Sequence, residues 1–167
     1  MANKYYYLVS SLPLLVLEEL HPITSERFVA ECEKWLTPDE LEIIKNIGLD
    51  NYEISPDDPF ILRQWKGFDS RLRKALAEVR KMLKVSPQEP VPPFLRDVFK
   101  EPTPLAMEQH LAQRRWEFID EAEFGYHFDL NRLILYYLKL KILERLASFD
   151  KEKGKEKFTE LCEVGYE

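Results

Sequence analysis

Between Trp65 and Met82 the apolar positions Trp65, Phe68, Leu72, Ala75, Val79 and Met82 alternate at steps of three and four, and Leu62, Leu76 and Leu83 widen the stripe. This period predicts a helix that follows the breaker Ser55–Pro59, runs to about Val85 and packs one face on other helices. A second apolar run has no polar side: Leu130, Leu133, Ile134, Leu135, Tyr136, Tyr137, Leu138, Leu140, Ile142, Leu143 and Leu146. It predicts a helix from the cap Asp129 to about Phe149 at the centre of a bundle. Arg132, Lys139, Lys141 and Glu144 within it argue for a core helix and against a membrane span.

Start and stop signals set the remaining elements. Thr37-Pro38-Asp39-Glu40 is a capping box with proline at the first helical position, and Gly48 is its stop. Before it, Thr24 or Ser25 caps a helix carrying Phe28, Val29, Cys32, Trp35 and Leu36 on one side. Thr103-Pro104 starts a helix that runs to about Phe124, and Asp150 opens a charged C-terminal segment with Phe158, Leu161 and Val164 on one face. Six of the eleven prolines fall in residues 86–104, which reads as a connector with one helical turn over Phe94–Phe99. That connector also offers a hinge between residues 1–85 and 105–167. Tyr5–Val9 has the composition of a strand, but a lone strand has nothing to pair with, so a helix is expected. The sum is an all-α single domain over residues 1–167, an irregular bundle of about six to seven helices.

Length and composition agree with one globular unit. With 167 residues, 45% hydrophobic and 32% charged, the chain needs neither metal nor disulfide to fold. Cys32 and Cys162 lie at opposite ends with no zinc-type spacing, the pattern of two reduced cytoplasmic thiols. Lys4 precedes the apolar run Tyr5–Leu17, but Ser10, Ser11 and Pro13 interrupt it and no small-residue cleavage site follows, so it reads as part of the fold rather than a signal.

Charge changes the picture. The net charge of −6 disfavours nucleic acid. Its distribution is uneven: residues 1–59 carry four bases against twelve acids, and residues 60–84 carry eight bases against Asp69 and Glu78. Arg63, Lys66, Arg71, Arg73, Lys74, Arg80, Lys81 and Lys84 therefore crowd one helix, where like charges repel and call for opposite charge nearby. Either the acidic N-terminal hairpin, or Asp120, Glu121 and Glu123, neutralises them, or an acidic protein partner does. Tyr5, Tyr6 and Tyr7 are core packing or, if exposed, a docking surface.

Catalytic signatures are missing. There is no glycine-rich phosphate loop and no G-x-S-x-G elbow, and His21, His110 and His127 are scattered. Glu123 and His127, with Asp120 and Glu121 nearby, lack the Glu-x-x-His spacing of di-iron bundles, and Gly125 interrupts them. No metal or cofactor is therefore expected. Glu108 and Arg115, seven apart on the face of Leu105, Ala112 and Ile119, are expected to form a structural ion pair against a neighbouring helix. An enzyme with a cryptic metal or small-molecule site near Glu108, Asp120 and His127 is one alternative, and a freestanding self-associating scaffold is another.

The opening Tyr5-Tyr6-Tyr7-Leu8-Val9-Ser10-Ser11-Leu12-Pro13 resembles the start of a bacterial family of unknown function whose members are usually encoded in V-type ATPase operons. The resemblance continues through Phe68, Leu72, Arg73, Leu76, Ala77 and Arg80, then Glu108, Leu111, Arg115, Trp116 and Asp120, and Phe128-Asp129 through Tyr137, Leu140-Lys141-Ile142 and Arg145. By gene position such proteins resemble the central-stalk subunit called C or d, an all-helical coupling subunit without chemistry of its own. The resemblance implies a non-catalytic accessory subunit with V-type ATPase subunits as partners. It also implies a cytoplasmic protein, peripheral at the membrane through that complex rather than inserted in it.

Overall fold

The computed structural model describes residues 4–149 and 151–163. Among them are eight α-helices and one 3-10 turn, and no strand: α1 (Tyr6–Ser11), α2 (Ser25–Cys32), α3 (Pro38–Lys45), α4 (Phe60–Val85), the 3-10 turn Pro93–Leu95, α5 (Arg96–Lys100), α6 (Pro104–Glu123), α7 (Leu130–Ser148) and α8 (Lys151–Glu163). The protein is all-α, as its periodicity predicts, with one helix more than expected because the connector contributes α5. Asp150 and Val164, assigned to the last helix from the sequence, lie outside the described residues.

The capping side chains act where the sequence places them. Thr24, Thr37, Thr103 and Asp129 each accept a hydrogen bond from the backbone amide three residues on, satisfying donors that an open helix end leaves unpaired. At α3 the box is reciprocal, since the Glu40 carboxylate accepts from the Thr37 amide at 3.0 Å.

Helix α7 is the axis of the bundle. Residues 133–140 are buried without interruption, and α2, α3, α4 and α6 pack around them. Its uniform apolarity follows from having neighbours on every side. The principal core joins Tyr5 and Leu8, Phe28 and Cys32, Ile44, Ile61 and Trp65, Trp116 and Ile119, and the α7 side chains, so it spans both sides of the proline-rich segment. A smaller core lies at the far end of α4. There Leu72, Leu76 and Val79 pack with Leu95 and Val98 of the connector and with Leu111 of α6.

Polar anchors fix how the non-helical segments lie on α7. The Tyr136 hydroxyl donates to the Pro13 carbonyl at 2.7 Å, and Glu144 accepts from both the amide and the hydroxyl of Ser25 at 2.6 Å. Between these anchors the chain turns through Glu18, whose φ of 74° lies in the left-handed region. A non-glycine residue there costs roughly 1–2 kcal/mol.

Candidate functional site

The cations of α4 divide into two groups. Lys66 is buried, its ammonium 2.7 Å from Asp58 and 2.8 Å from the Glu53 carbonyl. Arg73 donates to Asp69 at 2.7 Å and to the Leu49 carbonyl at 2.6 Å, and lies over the Tyr52 ring. Both are thus neutralised within the chain, Lys66 in the interior and Arg73 half-buried, and leave the surface first expected to hold them. Arg63, Arg71, Lys74, Arg80, Lys81 and Lys84 are exposed, and none forms an ion pair among the described residues.

Their spacing defines the surface. At 100° per residue, Arg63, Gly67, Ser70, Lys74, Ala77 and Lys81 fall on one stripe with Arg71 and Lys84 to either side. Small side chains thus alternate with long cationic ones along the solvent face. Gly67 sits inside a 26-residue helix at a cost of about 1 kcal/mol relative to alanine. A Cβ there would meet only the Arg71 guanidinium, at 3.6 Å, so packing within the chain does not require the glycine.

Among the described residues none of the acids proposed as neutralisers pairs with these six cations, and several are engaged elsewhere. Asp120 and Glu123 hold the Lys139 ammonium at 2.6 and 3.0 Å, and Glu123 also takes Arg132 at 2.8 Å. In the N-terminal region Glu31 pairs with Lys34, Glu33 with Lys45 and Glu40 with Lys4. Among the described residues of this region only Asp58 and Asp50 pair with α4, and they serve Lys66 and Arg73.

The tyrosine run is split by the α1 geometry. Tyr5 is buried, donates its hydroxyl to Glu40 at 2.5 Å and its amide to the Phe128 carbonyl, and offers no docking surface. Tyr6 lies against Phe128 with ring centres 4.7 Å apart, and the exposed Tyr7 stacks on Trp35 at 6.3 Å. Trp35, placed by the sequence on one helix side with Phe28, Val29, Cys32 and Leu36, lies beyond the end of α2, is 47% exposed and completes this aromatic surface.

Glu108 and Arg115 do not pair with one another. Two turns of helix separate them, and each reaches a different neighbour: Glu108 meets Arg145 of α7 at 3.4 Å, while Arg115 donates to Asp69 of α4 at 2.8 Å. The sequence named a buried ion at Arg115 but not its partner, because Asp69 is an isolated acid in a basic helix. That isolation was the available signal.

The His127 ring is exposed and lies near Phe128, 6.4 Å between ring centres, and Glu123 is committed to two cations. Among the described residues no three His, Cys, Asp or Glu side chains are grouped closely enough to hold a metal ion. Cys32 is buried, and burial pushes its thiol up to about 12, whereas Cys162 is exposed and both are free. No helix among the described residues is long and apolar enough to cross a membrane.

Residues 88–164 match a family described as Protein of unknown function (DUF2764). The match begins beyond α4, so the cationic stripe lies outside it. No curated protein and no solved structure matches the chain.

Proposed function

We propose that this chain is a non-catalytic docking subunit whose α4 stripe binds an acidic protein surface, and that its host is a V-type ATPase, which it serves as a helical adaptor in coupling or assembly. One observation carries the docking reading: six exposed cations on one helix have no ion-pair partner among the described residues. Complementary charge on a partner would relieve their mutual repulsion and steer encounter. The small residues between the cations would let a partner helix approach closely. The identity of the host rests on the resemblance of the N-terminal run and the ordered positions on α4, α6 and α7 to proteins of V-type ATPase operons. Such a complex would hold the chain at the membrane periphery.

Affinity purification of the tagged chain at low salt, followed by mass spectrometry, tests both parts. Low salt preserves exposed charge contacts, which are screened beyond roughly 10 Å at 0.1 M. Recovery of ATPase subunits, lost on combined reversal of Arg71, Lys74 and Lys81 to glutamate with the fold intact, is the expected result. Recovery that survives the reversal removes the α4 assignment, and recovery without any ATPase subunit removes the host.

A further inference from the structure

A groove of about 490 Å³ opens between the loop Leu17–Leu20 and the ends of α6 and α7, walled by Leu143, Leu146 and Gln109. Leu20 stands 80% exposed on its rim. Glu18 and Glu19 are exposed beside it, and neither carboxylate makes an ion pair or hydrogen bond among the described residues. The left-handed backbone at Glu18 is thus held with no side-chain contact of its own to offset it. Strain maintained at a surface turn of this kind is a sign that the turn is shaped for something it contacts.

Helix α8 carries the complementary surface. Residues 153–162 are all exposed, including Phe158 at 70% and Leu161 at 66%. At helical spacing Gly154, Lys155, Phe158, Leu161 and Cys162 share one face. A Cβ at Gly154 would meet nothing within 4 Å, and the Lys155 ammonium makes no ion pair among the described residues. The face therefore pairs an apolar knob with a cation and a point of close approach, and the groove, polar and apolar in about equal parts, sets Leu17, Leu143 and Leu146 beside two carboxylates unpaired among the described residues.

We infer that α8 of one copy docks its Phe158–Leu161 face into the Leu17–Leu20 groove of a second copy, with Lys155 meeting Glu18 and Glu19. Two observations select a second copy as the occupant. The charges match, cation against the unpaired acids. The apolar face of α8 is left exposed on its own chain while the groove stays open. Reciprocal docking closes a two-fold dimer and leaves the α4 stripe uncovered, so the inference stands apart from the α4 docking reading.

Sedimentation of the full chain over about a hundredfold range of concentration tests it, because a dimer of this kind forms by mass action. The expected result is a monomer–dimer equilibrium that Phe158→Glu and Leu20→Glu each abolish. Both side chains are exposed in the monomer, and circular dichroism confirms that the fold survives. Mixing the two variants restores one intact dock, so a weaker mixed dimer is expected. Lys155→Glu lowers dimer affinity by about tenfold, and Lys155→Glu combined with Glu18→Lys recovers part of the loss. A wild-type chain that stays monomeric throughout overturns the inference. So does a dimer indifferent to both Phe158→Glu and Leu20→Glu.

Discussion

Arg115 of α6 and Asp69 of α4 meet 2.8 Å apart in the interior, with Asp69 only 2% exposed. Asp69 also receives Arg73, whereas among the described residues Arg115 has no second acidic partner. Loss of either member therefore has unequal consequences. Asp69→Asn leaves Arg115 buried and uncompensated, and is expected to cost about 3–5 kcal/mol. Arg115→Met leaves Asp69 paired with Arg73 and is expected to cost less, about 1–2 kcal/mol. Urea denaturation of both variants, and of the double variant, checks the order; equal losses would show that Arg73 does not compensate Asp69 once Arg115 is gone.

Glu40 links the chain's start to α3. Burial disfavours its charge, but hydrogen bonds from the Tyr5 hydroxyl, from the Thr37 amide and hydroxyl and from Lys4 outweigh that and hold the carboxyl at about 2. A carboxyl lowered in the folded state stabilises the protein above its unfolded pKa, near 4.5, and the contribution fades as pH falls toward 2. Glu40→Gln is accordingly expected to lower stability by about 1–2 kcal/mol near neutrality. The gap to wild type should narrow as the pH is lowered through the acid range. A gap independent of pH would mean that the charge of Glu40 is not what matters.

The two thiols should report on the core. With Cys32 fully buried and its thiol pushed up to about 12, only Cys162 is expected to react with a disulfide reagent at neutral pH. Cys32 should become reactive in denaturant. Prompt labelling of both in the native state would place Cys32 at an accessible site.

Local signals were legible in the chain because they act over a few residues. The capping box at Thr37–Glu40, the caps Thr103 and Asp129, and the span of α4 to Val85 could be read directly from residue type and period. The burial of α7 followed from its lack of any polar face. Charge partnership was not legible, since it depends on which helices become neighbours. Lys66 and Lys139 look like surface cations in sequence, yet loop acids and the end of α6 draw them inward. For the same reason the α4 face expected to carry eight cations carries six that are unpaired. The connector showed its prolines but not its role: Leu95 and Val98 are fully covered, and their burial depends on the distant Leu72, Leu76 and Leu111.

The division of the apolar interior into two unequal parts has a consequence for how the molecule opens. The first turns of α4 are clamped by the large core through Ile61, Leu62 and Trp65. The last turns are clasped by the smaller core alone, through the 3-10 turn, the five-residue α5 and Leu111 of α6. Amide protons should therefore exchange fastest at the distal end of α4, through excursions that release the clasp without unfolding the whole. Equal protection along α4 would contradict this. Arg80, Lys81 and Lys84 ride on that looser end, so part of the cationic surface can change shape on meeting another molecule while Arg63 stays fixed.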